Sequence, residues 1–147
     1  MSILQAISDI GLLRDINEDY AFCNSHPKNP KVKFMVLADG MGGKAQGDVA
    51  SQEIVAALEA WFYHTDAGLL DGIDGVSPVL DKKVREVNKY LIEKYGENFL
   101  GTTLTLALIC SEKTLFYNIG DSRGYIYKDK IYKIYLKKYQ KIKQRFF

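Results

Sequence analysis

Four short segments of this chain hold the side chains whose types and spacing could do chemistry. In Val36-Leu37-Ala38-Asp39-Gly40-Met41-Gly42-Gly43 an apolar run ends on a carboxylate and glycine follows at once. Hard divalent cations take oxygen ligands, so Asp39 and a backbone carbonyl left unshielded by glycine are candidate ligands for one. The plainer reading is a glycine turn before a helix. It is the weaker one, because Asp39 ends a strand that is otherwise core, and Gly40, Gly42, Gly43 and Gly47 all let backbone approach something closely.

The other three segments are ambiguous when taken singly. Gly11-Leu12-Leu13-Arg14-Asp15-Ile16-Asn17-Glu18-Asp19 gathers one guanidinium and three acids before a strand. Arginine grips a phosphate through two parallel hydrogen bonds, but such a segment is also an ordinary solvated turn with Arg14 in a surface ion pair. Gly101-Thr102-Thr103 opens a strand, where threonine hydroxyls satisfy local hydrogen bonds. Asn118-Ile119-Gly120-Asp121-Ser122-Arg123-Gly124 is a tight turn built from common turn residues.

The elements that must position these segments follow from periodicity. Residues 3–8, 20–24 and 32–38 read as strands, with the Pro27/Pro30 turn between the last two. From Asp48 onward Ile54, Leu58, Trp61 and Phe62 recur at helical steps and predict a helix laid on a sheet. Residues 66–76, rich in Gly and Asp, read as a loop. A second helix is expected from Ser77 as cap and Pro78 as first helical residue, with Asp81 near its positive end, and it should bury Val84, Val87, Leu91 and Tyr95 before stopping at Gly96. Leu104, Leu106 and Leu108 then alternate with Thr103, Thr105 and Ala107 in a buried strand, and strands follow over 114–119 and 124–127. Strands, helices and strands in that order predict an α+β fold with helices packed on sheets.

Composition narrows the function classes. The chain has 147 residues, 47% of them hydrophobic, enough for one domain with a packed core. No apolar run reaches the roughly 18 residues that span a bilayer, and a cytoplasmic location is expected. Cys23 and Cys110 lack metal-ligand spacing and read as buried thiols, and His26 and His64 as surface or helix-end residues. The net charge of +2 hides an asymmetry: residues 1–127 hold 12 Lys/Arg against 17 Asp/Glu, net −5, and residues 128–147 hold eight against one, net +7. The folded part is thus mildly acidic, which argues against nucleic-acid binding.

In this order, the four segments resemble the protein phosphatase 2C family of metal-dependent serine/threonine phosphatases, most closely its bacterial type. The matches are Gly11-x-x-Arg14-x-x-Asn17-Glu18-Asp19, Asp39-Gly40-Met41-Gly42-Gly43 with Gly47-Asp48-Val49-Ala50-Ser51, Gly101-Thr102-Thr103, and Gly120-Asp121-Ser122-Arg123. The resemblance covers residues 1–133. It implies a partial α-β-β-α sandwich, two antiparallel sheets flanked by helices with the C-terminal part missing, and hydrolysis of phosphoserine and phosphothreonine in proteins. It makes Asp39 the carboxylate bridging two Mn²⁺ or Mg²⁺ ions, with the Gly40 carbonyl on one of them. Glu18 and Asp19 would hold water around the ions, Arg14 would bind the substrate phosphate, and Asp121 would help hold a third, weaker metal. Met41 stands where eukaryotic members carry a histidine, as is common in bacterial ones, and Lys44 where bacterial ones often have histidine. Substrates would be phosphoproteins made by a bacterial serine/threonine kinase.

Residues 134–147 depart from the family, which continues with two further metal-binding aspartates. They read as a divergent basic tail from a frameshift or truncation. Ile131, Tyr135, Tyr139, Ile142 and Phe146 also fall at helical steps, which would suit a basic amphipathic helix on an anionic membrane or in a partner groove. Two consequences are expected of the missing part: weak metal affinity, and an uncovered Leu104/Leu106/Leu108 row with unpaired sheet edges that favour self-association. The alternative function is a non-catalytic phosphoprotein-binding module.

Overall fold

The computed structural model describes residues 3–41, 47–96, 101–111, 113–128, 130–134 and 140–145. β1 (Asp19–His26) and β2 (Asn29–Met41) form a hairpin, and β2 also pairs with the short β3 (Gly101–Thr102) and with β4 (Leu104–Ile109). β5 (Lys113–Ile119) follows β4, giving an antiparallel sheet in the order β1-β2-β4-β5, and β6 (Gly124–Lys128) pairs with β7 (Lys130–Ile134) as a separate ribbon. β8 (Gln140–Arg145) pairs with β5 and closes the order of the main sheet. The described residues of the stretch whose spacing suited an amphipathic helix, 131–134 and 140–145, are therefore strand, while Tyr135, Tyr139 and Phe146 lie outside the described residues.

Three helices connect the first strands to the last: α1 (Gly47–His64), α2 (Ala67–Asp71) and α3 (Ile73–Tyr95). α1 buries Ala50, Ile54, Val55, Leu58 and Phe62, and α3 buries Val76, Leu80, Val84 and Val87, each set at three- and four-residue steps. Leu91 and Tyr95 of the expected stripe are half-buried. Phe62 stacks on Phe34 of β2 with ring centroids 5.1 Å apart, joining helix to sheet.

Several expectations need correction. Residues 66–76 are not a loop: the Asp66 side chain accepts hydrogen bonds from the Gly68 and Leu69 amides and caps α2, and α3 starts at Ile73, so Pro78 is its sixth residue rather than its first. Val76, fully buried, draws that extra turn onto the core, and tertiary packing outweighs the poor helix propensity of Gly75. Residues 3–8 are not a strand, since among the described residues no strand pairs with them and Ile3 and Ile7 are 90% and 73% exposed. His26 is no surface residue: it is buried in the β1–β2 hairpin, where its ring meets Phe62 edge-on and its Nδ1 accepts a hydrogen bond from the Lys28 amide. Leu104, Leu106 and Leu108 are covered, not bare, because they share the inner sheet face roofed by α1 and α3. Cys110 is buried as expected, but Cys23 is only half-buried. His64 does end a helix.

Candidate metal and phosphate site

Antiparallel pairing brings the start of β1 beside the end of β2, and the register sets Asp19 opposite Asp39. Like charges directly opposite one another destabilise a strand pair. Here two further acids join them. Burial raises the Asp39 carboxyl above its ordinary value, and the charges of Asp19, Asp121 and Glu18 push it the same way, with a side-chain hydrogen bond to Asp19 also contributing. Four of the expected site residues thus share one electrostatic neighbourhood at the end of the sheet.

Backbone packing explains the glycines. A Cβ on Gly40 would lie 2.1 Å from the Gly47 carbonyl oxygen and 2.6 Å from that of Glu18. The Gly40 amide donates to that Glu18 oxygen over 3.0 Å, and Ser51 Oγ donates to the same oxygen over 2.6 Å. The glycines at 40 and 47 accordingly let the end of β2, the first turn of α1 and the loop before β1 meet backbone to backbone. Gly42, Gly43 and Lys44 lie outside the described residues.

Asp39 is clamped through its own backbone. Its amide donates to Thr103 Oγ1 (3.0 Å), while its carbonyl accepts from the Thr103 amide (2.9 Å) and from Thr102 Oγ1 (3.0 Å). Thr103 Oγ1 also shares a hydrogen bond of 2.8 Å with Ser122 Oγ, in the turn that carries Asp121. The Gly101-Thr102-Thr103 segment therefore does more than satisfy a strand start. Before β1, the Asn17 side chain accepts from the Asp19 amide over 3.0 Å and donates to Ser8 Oγ over 2.8 Å, which fixes the approach to Asp19.

Arg14 lies on the exposed loop ahead of β1, its Nη1 3.6 Å from Glu18 Oε2 with the Arg14 side chain 75% exposed. The surface ion pair that the residues alone suggested is present, and the guanidinium remains open to an anion. Sequence reasoning missed Thr103, Ser122 and Ser51 as supports. The signal was their presence inside the matched segments, and a one-dimensional reading does not show that these face one another.

The donor set suits a hard cation, because clustered carboxylates that raise one another's proton affinity are what a divalent ion neutralises. Among the described residues, however, no three Asp, Glu, His or Cys side chains are arranged to hold a metal by themselves.

Residues 14–141 match the family model for protein phosphatase 2C. The chain belongs to the protein phosphatase 2C family. It is 36% identical over 124 residues to the serine/threonine phosphatase stp of Listeria welshimeri, a match covering 81% of this chain and 47% of that protein. It is 37% identical over 128 residues to the serine/threonine protein phosphatase PstP of Mycobacterium tuberculosis, covering 84% of this chain and 22% of that one. Among solved structures, a mutant bacterial serine phosphatase superposes with a TM-score of 0.81 at 26% identity over 95% of this chain and 69% of its own. The catalytic domain of PstP in complex with two manganese ions gives 0.68 at 35% identity over 87% of this chain and 52% of its own. This member of the protein phosphatase 2C family spans about half the length of its Listeria relatives.

Proposed function

We propose that the chain supplies the first half of a metal-dependent centre hydrolysing phosphoserine and phosphothreonine in proteins. The observation that carries this is the convergence of Glu18, Asp19 and Asp121 on Asp39. Asp39 and the Gly40 carbonyl would hold two Mn²⁺ or Mg²⁺ ions, and Asp121 would help hold a third. Bound there, the ions would supply positive charge that offsets the phosphoryl oxygens and lowers the pKa of the attacking water. Glu18 and Asp19 would hold water around the ions through hydrogen bonds to their carboxylates. Arg14 binds the phosphate of the substrate, and releasing Glu18 frees both groups for these tasks. The substrates are phosphoproteins, in the cytoplasm, made by a serine/threonine kinase.

Asp39 and the Gly40 carbonyl would supply only a few of the oxygen ligands that such ions take, so weak binding and slow turnover are the expected result. The test is Mn²⁺-dependent hydrolysis of p-nitrophenyl phosphate and of a phosphothreonine peptide. Activity that rises into the millimolar Mn²⁺ range and vanishes in Asp39→Ala supports the enzyme. One observation favours a second reading, a non-catalytic phosphoprotein-binding module: the described acids do not form a metal cage on their own. Phosphopeptide binding that depends on Arg14, with no turnover at any Mn²⁺ concentration, would establish that reading instead.

A further inference from the structure

We propose that Thr103 is a positioning residue that ties Asp39 to the Asp121 turn and so sets the affinity of the centre for divalent metal. The inference rests on the metal-dependent reading above. Thr103 is 1% exposed, and every polar group it has near the site is engaged: its amide and hydroxyl hold the two backbone groups of Asp39, and the same hydroxyl reaches Ser122. Its methyl group is fixed as well, since Gly120 adopts φ 103° and a Cβ there would lie 2.8 Å from Thr103 Cγ2. One side chain therefore contacts both the end of β2 and the turn whose carboxylates share a field, and it does so from a buried position. Two acids that repel each other drift apart unless their backbones are held, and a divalent ion needs them at one spacing. Threonine meets the requirement with a hydroxyl for the two hydrogen bonds and a methyl against Gly120. Valine would keep the shape and lose both bonds, and serine would keep the bonds.

The experiment titrates Mn²⁺ into the full chain and follows free Mn²⁺ by electron paramagnetic resonance, with the melting temperature of the metal-free chain measured in parallel. Groups that orient metal ligands typically change affinity by about 10 to 100-fold when removed. Thr103→Val should weaken Mn²⁺ binding by about tenfold and Thr103→Ser should restore it to within about threefold. Ser122→Ala cuts the same bridge from the surface turn, where folding is not at risk, and should weaken Mn²⁺ about threefold with little change in melting temperature. Unchanged Mn²⁺ affinity in Ser122→Ala, or in folded Thr103→Val, would overturn the proposal even while the metal reading stands. Failure of Thr103→Ser to rescue would overturn it too. Wild-type Mn²⁺ binding that is indifferent to Asp39→Asn would remove the metal reading, and this inference with it.

Discussion

The two faces of the central sheet are made by the same strands and differ in nearly everything else. On β2, Val32, Phe34, Val36 and Ala38 point under the helices and are at most 3% exposed, whereas Met35 is half-buried and Leu37 is 37% exposed on the opposite side. β4 and β5 continue the two faces, with Leu106, Leu108, Leu115 and Tyr117 paired on the inner one and Thr105, Ala107 and Phe116 on the outer, although Ala107 and Phe116 are buried there too. The outer face carries a groove of about 320 Å³ lined by Ile7, Cys23, Met35, Thr105, Phe116 and Tyr125 among others. By the same alternation, Asp19 and Asp39 fall at its end. The helix-covered face thus carries most of the apolar core, and the site acids sit at the end of the other.

That comparison predicts a steep difference between neighbouring substitutions. Phe34→Ala removes a fully buried ring stacked on Phe62 and lying 6.1 Å from Trp61, and should destabilise the fold by about 3–5 kcal/mol in urea unfolding. Leu37→Ala, three residues on and facing out, should cost less than about 1 kcal/mol. Comparable losses at the two positions would mean that the outer face is covered in solution, as self-association would cause.

At the site end of the sheet the relevant limit is space rather than apolar burial. Gly40→Ala forces a methyl group into the Gly47 and Glu18 carbonyl oxygens, and backbone yields less readily than a side chain. A loss of about 1–3 kcal/mol is expected in the same unfolding measurement. Because the displaced strands carry Asp19 and Asp39, Mn²⁺ affinity should fall with it. A variant that is destabilised yet binds Mn²⁺ normally would separate the backbone crossing from the acid cluster.

The inner face and the coarse succession of strands, helices and strands were legible because both follow from local pattern. The 3.6-residue stripe Ile54, Leu58, Phe62 and the alternating leucines of β4 were enough to define what faces the core. Asp39 was legible as chemistry because a carboxylate ending an apolar strand has no packing reason to be there. What failed needed a partner distant in sequence. The alternation in residues 3–8 looks like a strand until its pairing is sought, and the early start of α3 depends on Val76 finding the core. His26 read as a surface or helix-end residue, and its place against Phe62 of α1 is what makes its position interior. The Thr103 clamp joins residues 64 positions apart at Asp39 and 19 apart at Ser122, and no spacing rule connects them.

A smaller effect probes the chemical face through pH. The raised Asp39 carboxyl means that the folded state holds this proton more tightly than the unfolded chain does. Its contribution to stability is therefore largest below the ordinary 3.8 and is lost as pH rises through that value toward the raised one. At pH 7 the ionised group opposes folding, so Asp39→Asn should stabilise the metal-free chain. The side chain reaches solvent, and screening holds the gain below about 1 kcal/mol. The difference should shrink as the pH is lowered toward 3.8 and reverse in sign when millimolar Mn²⁺ is added. A destabilised Asp39→Asn at pH 7 without metal would show that the neighbouring acids do not strain the site.

The two thiols report on the two faces with almost no effect on stability. Cys110 donates from Sγ to the Leu70 carbonyl over 2.9 Å, and burial, with Asp71 adding to it, pushes the thiol up to about 12. It stays protonated below that pH, so its favourable interactions persist through neutrality and are lost only as pH climbs from 9.0 through that value. Cys23 lines the outer groove and is half-buried. With a thiol reagent at pH 8, Cys23 should react in the folded chain while Cys110 reacts only as fast as the molecule unfolds. Phe34→Ala should then accelerate Cys110 and leave Cys23 unchanged, because only the inner face has been weakened. Equal protection of the two in the unmodified chain would mean that a second surface lies over the groove, and the division between a finished face and an open one would have to be withdrawn.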